Sequence, residues 1–188
     1  TLHAVNRAGS LLGKRVLVTG CGPIGALCIL AARTHGAREI IATDVMNGVL
    51  EKAMLVGADR VINVADNPEQ LSDYTSNKGS IDVMFEASGN ERALRAGLEA
   101  LRPRGILMQL GLGGDISIPQ NMIVSKEIEM RGTFRFHEEF ALAVDLINRK
   151  RLDVTPLLTG IFDMKDAVKA FETANDRSRS MKVQLAFN

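Results

Sequence analysis

The chain has 188 residues, of which 46% are hydrophobic and 24% are charged, and its formal net charge is +1. This profile is typical of a globular protein with one sizeable core. The near-zero charge gives no reason to expect nucleic acid or an acidic membrane surface as a partner. No apolar run approaches the roughly 20 residues that span a bilayer. Two cysteines make no disulfide framework, so we expect a reducing, cytoplasmic setting.

Short apolar segments alternate with amphipathic ones along most of the chain. The apolar runs predict strands at 15–19, 39–43, 60–64, 81–86, 105–110 and 128–134. The helical periodicity predicts helices at 23–35, 47–56, 67–76, 91–102 and 138–150. Strands that alternate with helices of this length favour right-handed crossovers. We therefore expect an α/β fold with a doubly wound parallel sheet of the Rossmann type, in the strand order 3-2-1-4-5-6.

The alternation of short apolar and amphipathic segments changes after Arg151. The tail holds a short apolar run at 157–162, a helix that Asp163 could cap, a polar turn at 178–180 and a last strand at 181–187. We therefore divide the chain into residues 1–151 and a C-terminal segment, residues 152–188, that returns into a second domain. The chain opens without an initiator methionine and is already apolar, so we expect it to be a piece of a longer protein.

The first strand leads into Gly20-Cys21-Gly22-Pro23-Ile24-Gly25, which has the pattern G-x-G-x-x-G and opens the next helix. In a dinucleotide-binding unit Gly20 allows the tight turn, Gly22 lets the backbone approach the pyrophosphate, and Gly25 lets the helix pack close to the strand. Pro23 suits the first helical position, where its missing N–H has no partner to lose. The free N–H groups of the helix start would face the pyrophosphate.

Asp44 stands 19 residues after Gly25, at the end of the second strand. A carboxylate at this place accepts hydrogen bonds from the ribose hydroxyls of the adenosine and repels a 2′-phosphate. No Lys or Arg follows between residues 45 and 50. These features favour NAD over NADP. The alternative is that Asp44 caps the helix that begins near Asn47, and both roles could hold together.

In a doubly wound sheet, ligands lie outside the carboxyl ends of the strands. The loops expected there are small and rich in glycine, and they include Ser88 after the fourth strand and Gly111, Gly113 and Gly114 after the fifth. They suit a flat cofactor, although glycines also simply make turns.

No catalytic group stands out. Cys21 and Cys28 have no partners at metal-ligand spacing, so we expect no metal bound by this chain. Tyr74 and Lys78 match the Y-x-x-x-K pattern of short-chain dehydrogenases, but they lie before the fourth strand, on the wrong side of the sheet, and we interpret the match as chance.

The glycine turn, Phe85-Glu86-Ala87-Ser88-Gly89 and the run 131–136 together resemble the zinc-type medium-chain dehydrogenases, in particular their sorbitol and L-idonate 5-dehydrogenase branch. The resemblance covers essentially the whole chain. It implies that the following residues line the cofactor, the last two groups near the nicotinamide: Ile24; Asp44; Leu110, Gly111 and Leu112; Thr133, Phe134 and Arg135. The sequence departs from the family's NAD enzymes at Val49, where a Lys or Arg near the adenosine is common.

The resemblance further implies that Arg135 reaches the substrate, where it could pair with a sugar-acid carboxylate or with hydroxyls. A surface ion pair is the alternative for this residue. The family's catalytic zinc ligands belong to the half that precedes this chain, a GroES-like domain. The parent protein would then use zinc and NAD, and this chain alone would bind NAD without turnover.

Three functions follow from this reasoning. The first is the coenzyme domain of an NAD-dependent, zinc-assisted dehydrogenase that acts on a secondary alcohol of a polyol or sugar acid. The second is another zinc alcohol dehydrogenase, such as a threonine-type enzyme. The third is a non-catalytic module that responds to NAD. For partners we expect a small-molecule substrate and further copies of the chain, and neither nucleic acid nor membrane.

Overall fold

The structure is a computed structural model that describes residues 1–178 and 180–187. Its main sheet has six parallel strands in the order β3-β2-β1-β4-β5-β6, which confirms the expected doubly wound topology. The strands are β1 (Arg15–Thr19), β2 (Glu39–Asp44), β3 (Arg60–Asn63), β4 (Ile81–Glu86), β5 (Leu101–Gln109) and β6 (Glu129–Gly132). All carboxyl ends therefore lie on one edge of the sheet.

Six helices accompany this sheet: α1 (Leu2–Ala8), α2 (Pro23–Thr34), α3 (Asn47–Leu55), α4 (Glu91–Ala100), α5 (Gln120–Ser125) and α6 (Glu139–Asn148). A separate pair of parallel strands, β7 (Leu158–Asp163) and β8 (Lys182–Ala186), is connected by α7 (Ala167–Asn175). No helix in the described ranges combines the length and the apolar character that crossing a membrane requires.

The central strands β1, β2 and β4 are buried on both faces, as parallel strands between helices must be. In β1, Val16 and Val18 face the cluster that α1, α2 and α3 cover, whereas Leu17 faces the cluster under α4. Successive strand side chains point to opposite faces, so a run without polar residues is what a doubly covered sheet needs. The loops of the carboxyl edge thus extend from strands that are packed in the core.

The segment predicted as a helix at 67–76 is instead two 3₁₀ turns, at Pro68–Tyr74 and Ser76–Lys78. The Ser72 and Thr75 hydroxyls donate to nearby backbone carbonyls, and such bonds compete with α-helical ones. Tyr74 lies between the guanidinium groups of Arg15 and Arg60, which open β1 and β3. Tyr74 therefore lies at the amino edge of the sheet, opposite the glycine turn. This position agrees with the interpretation of the Y-x-x-x-K match as chance.

Element boundaries also differ from the prediction between the fourth helix and the sixth strand. Helix α4 ends at Ala100 rather than 102, and β5 starts at once at Leu101 and ends at Gln109. Helix α5 was not predicted, and β6 ends at Gly132 rather than 134. The buried Lys126 explains the close junction. Its Nζ donates to the carbonyls of Leu98, Glu99 and Leu101, all at 2.8 Å, so one ammonium caps the end of α4.

The C-terminal segment follows the expected order with one correction. Asp163 makes no side-chain capping bond, because a 3₁₀ turn at Met164–Asp166 intervenes before α7 begins at Ala167. Strand β8 is one residue shorter at each end than the predicted strand 181–187. The polar turn predicted at 178–180 includes Arg179, which lies outside the described residues.

Helix α6 is fastened to α1 through Glu139. His3 Nδ1 donates to Glu139 Oε1 at 3.0 Å, Asn6 donates to the same oxygen at 3.1 Å, and the His137 N–H donates to Oε2. The hydrogen bond from His3, helped by the His137 backbone, lowers the pKa of Glu139 from 4.5 to about 2. A carboxylate with a lowered pKa stabilises the folded state above its unfolded pKa, and this contribution is lost as the pH falls through the folded pKa.

We therefore expect part of the free energy of unfolding to disappear between pH 4.5 and about 2 through Glu139. Urea unfolding of the chain at several pH values across this range measures the effect. Glu139→Gln should lower stability near neutral pH and flatten its pH dependence in this window. Asp145→Asn, an exposed acid of the same helix paired with Arg149, serves as the control. Equal pH dependence in wild type and Glu139→Gln would contradict the assignment.

Candidate cofactor-binding site

The loops that leave the carboxyl ends of the strands lie side by side. Hydrogen bonds continue the sheet beyond its strands: Gly20 N donates to Thr43 O, and Ala87 N donates to Thr19 O, both at 2.8 Å. Leu110 N and Thr133 N bond in the same way to the neighbouring strand ends. The structure therefore brings the predicted site residues to one edge. They lie on the glycine turn (Gly20, Gly22, Pro23, Ile24, Gly25), at Asp44, at Ser88, and on the loops with Leu110, Gly111, Leu112, Thr133, Phe134 and Arg135.

The fold constrains two of the three glycines of the turn, and it leaves the third one free. Gly20 has a φ of +83°, and a Cβ added to it would lie 2.8 Å from Ser88. A Cβ on Gly25 would overlap the carbonyl oxygen of Gly20. A Cβ on Gly22 would meet no atom within 4 Å, and its φ of −60° suits any residue. The fold thus requires Gly20 and Gly25, whereas the space above Gly22 is open.

Helix α2 presents its N-terminus to this open space. Gly22 is the N-cap, Pro23 follows at the first position, and no side chain caps the helix. Helix geometry leaves the N–H groups of Ile24 and Gly25 without an acceptor inside the helix. Unfilled N–H groups and the positive end of the helix dipole together favour an anion here.

The carboxylate of Asp44 joins β2 to the glycine turn. Its Oδ2 accepts from Cys21 N at 2.7 Å, and its Oδ1 accepts from Val45 N at 2.7 Å and Met46 N at 3.1 Å. The capping role considered for Asp44 is wrong, because the N-cap of α3 is Met46 and this helix has no side-chain capping bond. A carboxylate can accept about four hydrogen bonds, so Asp44 keeps capacity for a ligand hydroxyl.

Glu86 is the important residue of this edge that sequence reasoning left without a role. It ends β4, it is fully buried, and its Oε1 accepts from Ser88 N at 2.9 Å and Gly89 N at 3.0 Å. Gln109 Nε2 donates to its Oε2 at 2.6 Å. One signal could have found it: an acid closes an otherwise apolar strand, and a buried acid must have donors around it.

Four large apolar side chains stand exposed at the same edge, one in the first turn of α2 and three on loops. Ile24, Val45, Leu112 and Phe134 are between 50% and 82% exposed. The Arg135 guanidinium lies 4.9 Å from the centre of the Phe134 ring, and Arg135 forms no ion pair within residues 1–178 and 180–187. Exposed apolar groups beside backbone donors suit a flat, partly aromatic ligand. Val49, a residue of α3, is buried in the core.

The cysteines do not form a metal site. Both are buried free thiols, and burial raises the pKa of Cys28 to about 12. Burial also raises the pKa of Cys21, whose thiol donates to Thr43 O. Across the described part of the chain, no three His, Cys, Asp or Glu side chains come together as metal ligands. The described residues therefore offer no ligand set for zinc, and the sequence resemblance assigns the zinc ligands to the half that precedes this chain.

Comparison with known proteins identifies relatives over the full length of the chain. Residues 23–149 match the zinc-binding dehydrogenase family. L-idonate 5-dehydrogenase (NAD(P)(+)) of Escherichia coli is 37% identical over 99% of this chain, and sorbitol dehydrogenase of Ovis aries is 34% identical over 98%. The crystal structure of the Escherichia coli L-idonate 5-dehydrogenase superposes with a TM-score of 0.94 over 99% of this chain.

The chain spans about half the length of these relatives: 54% of the first and 53% of the second. The match nevertheless includes the glycine turn from Pro23 onward, every strand of the main sheet after β1 and the whole of α6. The sequence identity of these relatives and the fold that they share with this chain thus agree with the Rossmann-type sheet and the glycine turn described above. The chain therefore belongs to the zinc-binding dehydrogenase family, among the sorbitol- and L-idonate-like members of the zinc-type medium-chain dehydrogenases.

Proposed function

We propose that this chain is the NAD-binding domain of a zinc-assisted dehydrogenase that oxidises or forms a secondary alcohol on a polyol or sugar acid. One observation carries the NAD assignment. The open space above Gly22 is bounded by the uncapped N-terminus of α2 and lies beside Asp44, whose carboxylate fastens the same turn. A glycine that the fold does not need for its own packing indicates that the space belongs to a ligand.

We assign the parts of NAD in order along the edge. The N–H groups at the start of α2 would hold the pyrophosphate, and Asp44 would accept a ribose hydroxyl. The loop at 110–112 and the residues after β6, 133–135, would bound the nicotinamide. When bound, the nicotinamide exchanges a hydride with the alcohol carbon. The chain's own residues orient the cofactor, and the exposed apolar side chains exclude water from its faces.

Arg135 is the proposed substrate contact. Its guanidinium is exposed, rests on the Phe134 ring and follows the last strand of the carboxyl edge. A guanidinium in this state can form a two-pronged hydrogen bond with a carboxylate. The names of the two relatives, L-idonate and sorbitol dehydrogenase, belong to a sugar acid and a polyol. We propose the same substrate class for the parent protein.

The C-terminal segment supports a division at residue 151. Strands β7 and β8 form their own sheet, and Val168, Phe171 and Phe187 are each more than 70% exposed there. Such an apolar surface marks a contact with another body. We propose that residues 1–151 form the dinucleotide-binding domain and that residues 152–188 return to a GroES-like catalytic domain. That domain would hold the zinc, and this chain alone would be inactive.

The main sheet also offers a surface for association. Strand β6 is its last strand, and its outer side pairs with no other strand among the described residues. An open edge strand with an exposed apolar residue, here Met130, is a template for pairing with a second copy. We propose a homo-oligomer for the parent protein. We also propose a cytoplasmic location, which the two free thiols support.

Isothermal titration of the 188-residue chain with NAD and with NADP tests the cofactor assignment. We expect NAD to bind at least tenfold more tightly, about 1.4 kcal/mol, because a 2′-phosphate would meet the Asp44 carboxylate. Asp59→Asn is a matched control, since Asp59 accepts a backbone N–H from Ile40 outside the proposed site. It should leave both affinities unchanged. Tighter binding of NADP, or no binding of either nucleotide, would contradict the proposal.

A further inference from the structure

Glu86 is a buried acid whose partners are all neutral donors. Its side chain accepts from Ser88 N, Ser88 Oγ, Gly89 N and Gln109 Nε2, with a longer contact of 3.4 Å from Thr19 Oγ1. No Lys, Arg or His in the described ranges forms an ion pair with it. Because the side chain is fully buried, it cannot touch a ligand in the cleft. Its effect on the cleft must pass through the loops that it binds.

These bonds join two separate loops of the carboxyl edge. The loop after β4 is held through Ser88 and Gly89. The loop after β5 is held through Gln109, whose Nε2 donates both to Glu86 and to Gly111 O at 2.9 Å. The backbone carbonyl of Glu86 also accepts from Leu110 N and Gly111 N, both at 2.8 Å. Glu86 is therefore the shared anchor of both loops.

The surrounding atoms leave little freedom for these loops to shift. A Cβ on Gly111 would lie 2.5 Å from Glu86 Oε2, and a Cβ on Gly113 would overlap the carbonyl oxygen of Gly89. A Cβ on Gly20 would lie 2.8 Å from Ser88, so the glycine turn rests against the same cluster. Packing this close transmits a displacement of Ser88 to all three loops.

We propose that Glu86 is the positioning residue of the cofactor site, which fixes the loops at 88–89 and 110–112 in the arrangement that receives the nicotinamide half. This inference rests on the proposed binding of NAD. A carboxylate suits the task because it accepts all of these donors at once and donates to none. Glutamine, with the same shape, replaces one acceptor with an NH₂ group that would face N–H donors of Gly89 or Gln109.

The test compares NAD binding by wild type, Glu86→Gln and Gln109→Met, each checked for folding by circular dichroism. We expect Glu86→Gln to weaken NAD binding roughly tenfold or more, the scale of one buried group left unsatisfied. Gln109→Met removes only the amide bonds and should weaken binding less, so it keeps the test valid if Glu86→Gln fails to fold. The emission of bound NADH should also move toward that of free NADH, because the nicotinamide would be held less closely.

Asp82→Asn is the matched control, since Asp82 lies on the same strand at the opposite edge and also accepts a backbone N–H, from Arg15. It should lower the melting temperature without changing the dissociation constant or NADH emission. If wild type binds NAD while Glu86→Gln and Gln109→Met bind it within twofold of wild type, the positioning role is overturned and the proposed function stands. If wild type binds no NAD, the proposed function itself fails.

Discussion

Gly22→Val should lower NAD affinity roughly 100-fold, about 2.7 kcal/mol, without changing the melting temperature of the free chain. The reason is that the fold requires glycine at positions 20 and 25 but not at position 22. A side chain on Gly22 meets nothing within 4 Å in the protein, so the fold tolerates it. The same side chain would fill the space where the pyrophosphate must approach the N–H groups of α2. Calorimetric titration with NAD and a thermal melt measure the two quantities.

Gly25→Ala provides the converse control. Its Cβ would overlap the carbonyl oxygen of Gly20, so this variant should lose stability by about 1–3 kcal/mol, the usual cost of overpacking. The pair therefore separates the glycine that serves a ligand from the glycine that serves the fold. Near-wild-type NAD affinity in a folded Gly22→Val chain would mean that the open space above Gly22 is not the pyrophosphate site.

The double substitution Asp44→Ser with Val45→Arg should move the cofactor preference from NAD toward NADP. It removes the carboxylate that repels a 2′-phosphate and adds a cation at a side chain that is already 60% exposed. The expected change in the ratio of affinities is about 1.5–3 kcal/mol, the range for one charge-assisted hydrogen bond. Titration with both nucleotides measures this ratio directly.

Asp44 also holds the backbone of Cys21, Val45 and Met46, so binding of both nucleotides should weaken somewhat in the double variant. Asp44→Asn is the matched control, since it removes the charge at nearly constant shape. Val45→Arg alone keeps the repelling carboxylate and should change the ratio less. An unchanged preference for NAD in the double variant would show that the 2′-hydroxyl is not read at Asp44.

The sheet and the glycine turn could be predicted from sequence because their signals are local. An apolar run such as 40–43 must be covered on both faces, and a turn with glycines at 20, 22 and 25 has few other uses. The helix predicted at 67–76 failed because hydroxyl-to-backbone bonds at Ser72 and Thr75 favour tighter turns. Periodicity does not report such competition.

The parts that sequence could not supply depend on contacts between distant residues. The role of Glu86 requires Gln109, which lies 23 positions away, and the backbone donors of the loop between them. The bond that Asp44 accepts from Cys21 N becomes visible only when the turn at Cys21 is placed beside β2. The sequence alone thus indicated which side chains could take part in the site, whereas their hydrogen-bond partners are set by the tertiary structure.

The bonds of Lys126 have a consequence for motion. Its ammonium joins the end of α4 to the segment between α5 and β6, and all of its three hydrogens are engaged by carbonyls. Lys126 is only 8% exposed, and this burial lowers its pKa. Neither crossover can fray alone without breaking these bonds. We therefore expect the two crossovers to open together as one cooperative unit, with amide hydrogens on both sides of the junction exchanging at a common, slow rate.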